Sequence, residues 1–134
     1  LKRLDSMINM RIRLANKRTE ILSEIELLTL PYELNGFKHV FYVYGILLPP
    51  EWAGEKRDKI ISMLAEKYNI VCSITSPPQY NRWEYIRKKC GSPSLPISEM
   101  ICDRLICLPL HPLMTDEQNE FCCSVLIDAI NRIK

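Results

Sequence analysis

A small α/β layer structure is the fold class this sequence predicts: a three-stranded, mainly antiparallel sheet flanked by helices, with a long helix at each end. Three observations carry the expectation. Apolar residues recur at steps of three and four near both ends of the chain. Between them lie three short runs rich in β-branched and aromatic residues. Most of these runs are bounded by proline, glycine or a helix-capping pattern. At 134 residues the chain is expected to be a single domain, 1–134, with a connecting helix over 1–28 and the sheet and remaining helices over 36–134.

The elements follow in order. Leu1, Leu4, Ile8, Ile12, Ala15, Thr19, Leu22 and Ile25 place one apolar stripe on the first helix, with Arg11, Arg13, Lys17 and Arg18 mostly on its other sides. Leu1 already sits on that stripe and is not a methionine, which predicts that a further segment precedes it. Thr29-Leu30-Pro31 ends the helix, because the residue before a proline is steered away from helical dihedrals. Asn35-Gly36 makes a turn, and 39–48 reads as a strand that is apolar on both faces and therefore central. Pro49-Pro50 stops it. A helix over 56–68 turns Ile60, Ile61, Leu64 and Tyr68 inward, and 69–75 is a second strand.

Pro77-Pro78 forces an extended turn. Asn81-Arg82-Trp83-Glu84 has the spacing of a capping box for a short helix that Gly91 stops. Pro96 suits the first position of another short helix, with Ile97, Met100 and Ile101 expected inward. A third strand spans 104–108. Thr115-Asp116-Glu117-Gln118 is a second capping box, opening a last helix that buries Phe121, Val125, Leu126, Ala129, Ile130 and Ile133.

Composition narrows function mainly by exclusion. A net charge of +2 gives no footprint for nucleic acid or a membrane surface. No apolar run approaches a bilayer span, and Lys2, Arg3 and Asp5 stand where a secretory signal would need an apolar segment. Six cysteines could pair, but most lie within apolar runs such as Ile70-Val71-Cys72-Ser73-Ile74. Reduced thiols in a cytoplasmic protein are therefore expected. No Cys-x-x-Cys pair occurs and His39 and His111 are not at ligand spacing, so no metal site is expected.

The motif order resembles the C-terminal small domain of the DegT/DnrJ/EryC1/StrS sugar aminotransferases. The resemblance rests on Arg11, Arg13 and Ala15 in the first helix, then His39-Val40-Phe41-Tyr42-Val43-Tyr44, Arg57-Asp58 and Asn69-Ile70. It continues through Pro96-Ile97-Ser98-Glu99 and Leu108-Pro109-Leu110-His111-Pro112-Leu113-Met114-Thr115-Asp116-Glu117-Gln118. What it implies is amino transfer to a keto sugar on a nucleotide carrier, with pyridoxal phosphate carrying the amino group in the full-length enzyme. The partners it implies are an N-terminal large domain of the same protein, a nucleotide-sugar substrate and a homodimer. The Schiff-base lysine, and the residues for the cofactor's phosphate and pyridine nitrogen, would belong to the large domain. This chain would then hold no catalytic and no cofactor-binding residue, and would bind no cofactor alone. The family commonly has His-Tyr-Pro after the second strand, whereas this chain has Thr75-Ser76-Pro77-Pro78. The alternative is a stand-alone sugar-nucleotide-binding or interaction module derived from the same family.

Thr75, Ser76, Tyr80 and Arg82 are the substrate-proximal candidates. They follow the second strand, where a βα connection projects side chains from a rigid sheet, and prolines stiffen the loop. Tyr80, Arg82, Trp83, Tyr85, Arg87, Lys88 and Lys89 also mix aromatics with basic charge as nucleotide-binding stretches do. The plainer reading is a short amphipathic helix with a solvated basic side. Cys90 lies beside Lys88 and Lys89, but no base is placed near it, and His39 has no acid partner set by sequence. Arg57, Asp58 and His111 read as local structure.

Overall fold

The computed structural model describes residues 2–73, 80–91 and 93–134. Among these residues five α-helices and a small antiparallel sheet follow in the order α1 (Leu4–Leu22), β1 (Gly45–Leu47), α2 (Glu55–Tyr68), α3 (Glu84–Cys90), α4 (Pro96–Cys102), β2 (Leu105–Cys107) and α5 (Asp116–Ile133). β1 pairs with β2 in the register Gly45↔Cys107, Ile46↔Ile106, Leu47↔Leu105. Single antiparallel bridges extend the sheet at either side, Thr29 to Leu47 and Ser73 to Cys107. The α/β class and antiparallel pairing match expectation. The sheet has two strands rather than three among the described residues, because the 69–75 segment contributes only the bridge at Ser73.

The long strand expected at 39–48 is reduced to three residues for a visible reason. Arg11 Nη1 donates to the carbonyls of Phe41 (3.3 Å), Tyr42 (3.2 Å) and Leu110 (2.9 Å). Carbonyls turned toward α1 are not free for a ladder, and Phe41 takes a left-handed conformation at φ 47°. What remains is central as expected, bridged on both sides, with Ile46 fully buried.

α5 packs on both α1 and α2, and the core lies between these helices and the sheet. Leu14, Leu22, Tyr44, Leu48, Ile60, Leu64, Ile106, Leu126 and Ile130 are all fully buried. α2 runs between Gly54 (φ 71°), whose N–H donates to Asp103 O (2.9 Å), and Asn69, a left-handed C-cap. The Thr115 capping box of α5 forms reciprocally, Gln118 N to Thr115 Oγ1 (3.2 Å) and Thr115 N to Gln118 Oε1 (3.0 Å).

Several expectations need correction. α1 ends at Leu22, short of 28, and Leu4 is exposed. Arg18, expected outside, is fully buried. Ile97, Met100 and Phe121 are exposed, because α4 and the first turns of α5 bury less of their apolar faces than periodicity suggests. Asn81 does not cap α3. It lies in a 3₁₀ turn (Tyr80–Arg82), and Trp83, without a side-chain cap, occupies the N-cap position.

Candidate functional site

The expected substrate-facing edge starts where the chain leaves the sheet. Ser73 N donates to Cys107 O (3.0 Å) and Cys107 N to Ser73 O (3.2 Å), fixing the last described residue of that strand. Thr75 and Ser76 lie outside the described residues. The chain is described again at Tyr80, where Trp83 N donates to Tyr80 O (3.1 Å) and closes the 3₁₀ turn. Tyr80 is exposed and meets Trp83 edge-on, ring centroids 4.8 Å apart.

Glu99 anchors this turn. Its Oε1 accepts from Asn81 Nδ2 (2.6 Å) and from Leu95 N (3.2 Å), tying the turn to the start of α4. Asn81 Nδ2 also reaches Pro93 O (3.3 Å). The Pro96-x-x-Glu99 motif thus has a structural use, since the glutamate reaches back to a backbone N–H left over at its helix start. Arg82 Nη2 pairs with Asp103 (3.3 Å) and, more distantly, Glu99 (3.9 Å). Of the two described candidates, Tyr80 is exposed, whereas Arg82 is held between two carboxylates that offset its charge. Sequence reasoning missed Glu99 and Asp103 in this role; their four-residue spacing on one helix face was the available signal.

The other chemically suggestive residues have structural duties. His39 Nδ1 accepts from Phe41 N (2.9 Å) in a coil rather than at a strand edge, supporting the left-handed turn. His111 O accepts from Met114 N (3.1 Å) before α5. Arg57 Nη1 donates to Cys102 O (3.0 Å) and Leu105 O (3.4 Å), closing the end of α4, while its Nε pairs with Asp58 (2.6 Å). Among the described residues no group of three His, Cys, Asp or Glu side chains is placed to hold a metal.

All six cysteines are unpaired. Cys72, Cys107, Cys122 and Cys123 are buried, and burial pushes the Cys72 thiol up to about 12 and Cys123 up to about 11. Such thiols stay protonated and make poor nucleophiles. Beside them lies a polar cluster that sequence reasoning placed on the wrong side of α1. Arg18 donates from Nε (3.0 Å) and Nη2 (2.7 Å) to Asn119 Oδ1, and from Nη2 to Pro109 O (2.7 Å). Asn119 Nδ2 in turn donates to Leu14 O (2.9 Å). The Arg18 guanidinium lies 5.1 Å from the centre of the Tyr44 ring. The signal was present in the sequence, since Arg18 stands four residues from both Leu14 and Leu22.

Several lysines are held by acidic or phenolic partners. Lys59 and Lys67 line a groove of about 760 Å³ between α2 and the end of α5. Lys59 is ion-paired with Glu55 (2.6 Å) and Lys67 with Asp128 (3.3 Å). Hydrogen bonding to Tyr68 holds Lys67 above the usual lysine range, and hydrogen bonding to Glu120 and Asp116 does the same for Lys17.

Comparison with known proteins places this geometry. Residues 1–126 match the DegT/DnrJ/EryC1/StrS aminotransferase family. A dTDP-3-amino-3,4,6-trideoxy-alpha-D-glucose transaminase of Micromonospora megalomicea subsp. nigra is 31 % identical over 116 residues, covering 84 % of this chain and 29 % of that protein. The fold also matches Helicobacter pylori PseC, an aminotransferase involved in pseudoaminic acid biosynthesis. That match has a TM-score of 0.88 at 19 % identity and covers 98 % of this chain and 35 % of that one. A Bacillus subtilis protein, NtdA, solved with bound cofactor PMP, matches with a TM-score of 0.81 at 21 % identity over 96 % of this chain and 29 % of its own. This chain therefore spans about a third of the length of these relatives. On the match over residues 1–126, the chain belongs to the DegT/DnrJ/EryC1/StrS aminotransferase family.

Proposed function

We propose that this chain is the C-terminal small domain of a cytoplasmic, pyridoxal-phosphate-dependent aminotransferase acting on nucleotide-linked keto sugars. The observation that carries this reading is the family match along nearly the whole chain, combined with a span of about a third of a transaminase named for a dTDP-sugar. The cofactor supplies the means of carrying the amino group between donor and sugar. It would be bound by a large domain that bears the Schiff-base lysine, within a homodimer. The small domain contributes one wall of the substrate cleft and no nucleophile.

In this reading the edge at Thr75, Ser76, Tyr80 and Arg82 faces the sugar nucleotide. Tyr80 is exposed, and its hydroxyl can both donate and accept, which suits sugar hydroxyls and phosphate oxygens. Arg82 acts as a positioning residue, since Asp103 and Glu99 hold it against α4 and keep the 3₁₀ turn that presents Tyr80. The test is made in the full-length protein. Ser76→Ala combined with Tyr80→Phe is expected to weaken sugar-nucleotide binding by roughly 1–3 kcal/mol without unfolding the protein. Unchanged substrate affinity and turnover in that double variant would remove the loop from the active site.

A further inference from the structure

The candidate edge is not held by burial. Among the described residues of 80–102, which cover the 3₁₀ turn, α3 and α4, no side chain is buried. A stretch without an apolar anchor is placed by its polar ties, and whatever freedom they leave must be given up when a ligand binds. The ties run outward from the core. Arg57, buried on α2, donates from Nη1 to Cys102 O (3.0 Å), and Gly54 N, just before α2, donates to Asp103 O (2.9 Å). Both fix the C-terminal end of α4. Glu99 stands about one turn back along that helix. Its Oε1 accepts from Leu95 N (3.2 Å) at the start of α4 and from Asn81 Nδ2 (2.6 Å) in the 3₁₀ turn. Asn81 directly follows Tyr80, whose carbonyl accepts from Trp83 N (3.1 Å) to close the turn.

Two contacts join the turn to Glu99, and they differ in strength. Arg82 lies 3.9 Å from the carboxylate with its own side chain 47 % exposed, an ion pair in solvent that adds modestly. The Asn81 bond is shorter, and its acceptor is an ionised group whose side chain is only 28 % exposed. We propose that Glu99 is a positioning residue for the sugar nucleotide: through Asn81 it fixes the turn that carries Tyr80, so that this side chain is ordered before the ligand arrives. This inference rests on the function proposed above, and it adds a residue that sets affinity through another. Order imposed in advance acts on binding, so the dissociation constant is the quantity Glu99 controls.

The test is made in the full-length protein, with 3-fluorotyrosine at position 80 alone, so that one fluorine resonance reports the turn without any activity. Affinity is measured with dTDP-glucose and UDP-glucose, taking whichever binds the unmodified protein more tightly. Glu99→Ala is expected to shift and broaden the resonance and to weaken binding about three- to tenfold. Asn81→Asp sets carboxylate against carboxylate and should do the same. Adding Glu99→Gln to Asn81→Asp supplies an amide that donates across the same gap, and should restore both readouts. A residue that only stabilised the fold would lower the unfolding midpoint and leave the affinity of the folded protein unchanged, which would overturn the proposal. So would an unmoved resonance in Glu99→Ala, or a paired variant that restores neither readout. Unchanged affinity in Glu99→Ala beside weakened binding in Ser76→Ala/Tyr80→Phe defeats this inference alone. Unchanged affinity in both, or no binding of either probe by the unmodified protein, defeats the proposed function and this inference with it. If Glu99→Ala does not fold, Asn81→Ala removes the same bond from the side of the turn and is held to the same outcomes.

Discussion

Arg18 carries a full charge into the core, and its hydrogen-bond acceptors are an amide oxygen and a backbone carbonyl, not carboxylates. Burial lowers its pKa from the ordinary value, yet arginine remains charged at neutral pH. Such a group is stable only while its acceptors and the Tyr44 ring stay in place. Arg18→Ala leaves Asn119 Oδ1 and Pro109 O without their donor and opens a cavity, so a loss of about 2–5 kcal/mol in urea unfolding is expected. Arg18→Lys keeps the charge but cannot span both acceptors as a fork, and should fall between. A loss below about 1 kcal/mol for the alanine variant would show that the cluster contributes little. The buried thiols make a second prediction at this scale. With Cys72 raised from an ordinary value of 9.0 to about 12, the unfolded chain loses that proton first as pH rises. The contribution is fully present below pH 9 and is lost as pH climbs toward 12. Thermal midpoints between pH 9 and 11 should therefore fall more steeply for the native chain than for Cys72→Ala. Parallel slopes would contradict the assignment.

At the scale of elements, two similar sequence patterns behave differently. Thr115-x-x-Gln118 forms a reciprocal capping box, whereas Asn81-x-x-Glu84 does not. A capping box needs its first residue at the helix boundary. Asn81 instead sits within a 3₁₀ turn, its amide is taken by Glu99 and Pro93, and Glu84 pairs forward with Lys88 (2.6 Å). Thr115→Ala should cost about 1 kcal/mol in equilibrium unfolding, because an N-terminal N–H of α5 loses its acceptor. An unchanged stability would mean that solvent replaces the cap without loss. The helices α2, α4 and α5 were legible because periodicity, proline position and capping act within a few residues. The strands were less so. β1 has the composition for ten residues and keeps three, since Arg11, about 30 residues away in sequence, takes the carbonyls of Phe41 and Tyr42.

Across the whole molecule, α1 and α5 are joined by ion pairs between distant parts of the chain, Arg13 and Lys17 to Asp116 (2.6 and 3.3 Å) and Lys17 to Glu120 (2.6 Å). These lie at the surface and add modestly to the apolar contact beneath them. The lysines so held argue for a further outcome. Mixing the isolated chain with pyridoxal phosphate should give no saturable, single-site absorption band in the visible aldimine region. A stoichiometric adduct at one lysine would show that this domain has cofactor chemistry of its own. At this scale the family was legible from an ordered set of short motifs, each weak alone. The chemistry of the candidate edge was legible only in part. Tyr80 is exposed as a binding residue must be, but the carboxylates that hold Arg82 lie on α4 and at its C-cap, at least 17 residues further along.

The α/β class, the place of most helices and the Thr115 cap all follow from local chemistry, because apolar spacing and capping depend on neighbours within about one turn of helix. Three features do not: the burial of Arg18, the shortening of β1 and the tie between Asn81 and Glu99. Each depends on which distant group reaches a donor or acceptor first. That competition is settled when α1, α5 and the strand exit at Pro109 come together, since a buried polar group takes whatever partner the packed chain leaves within reach.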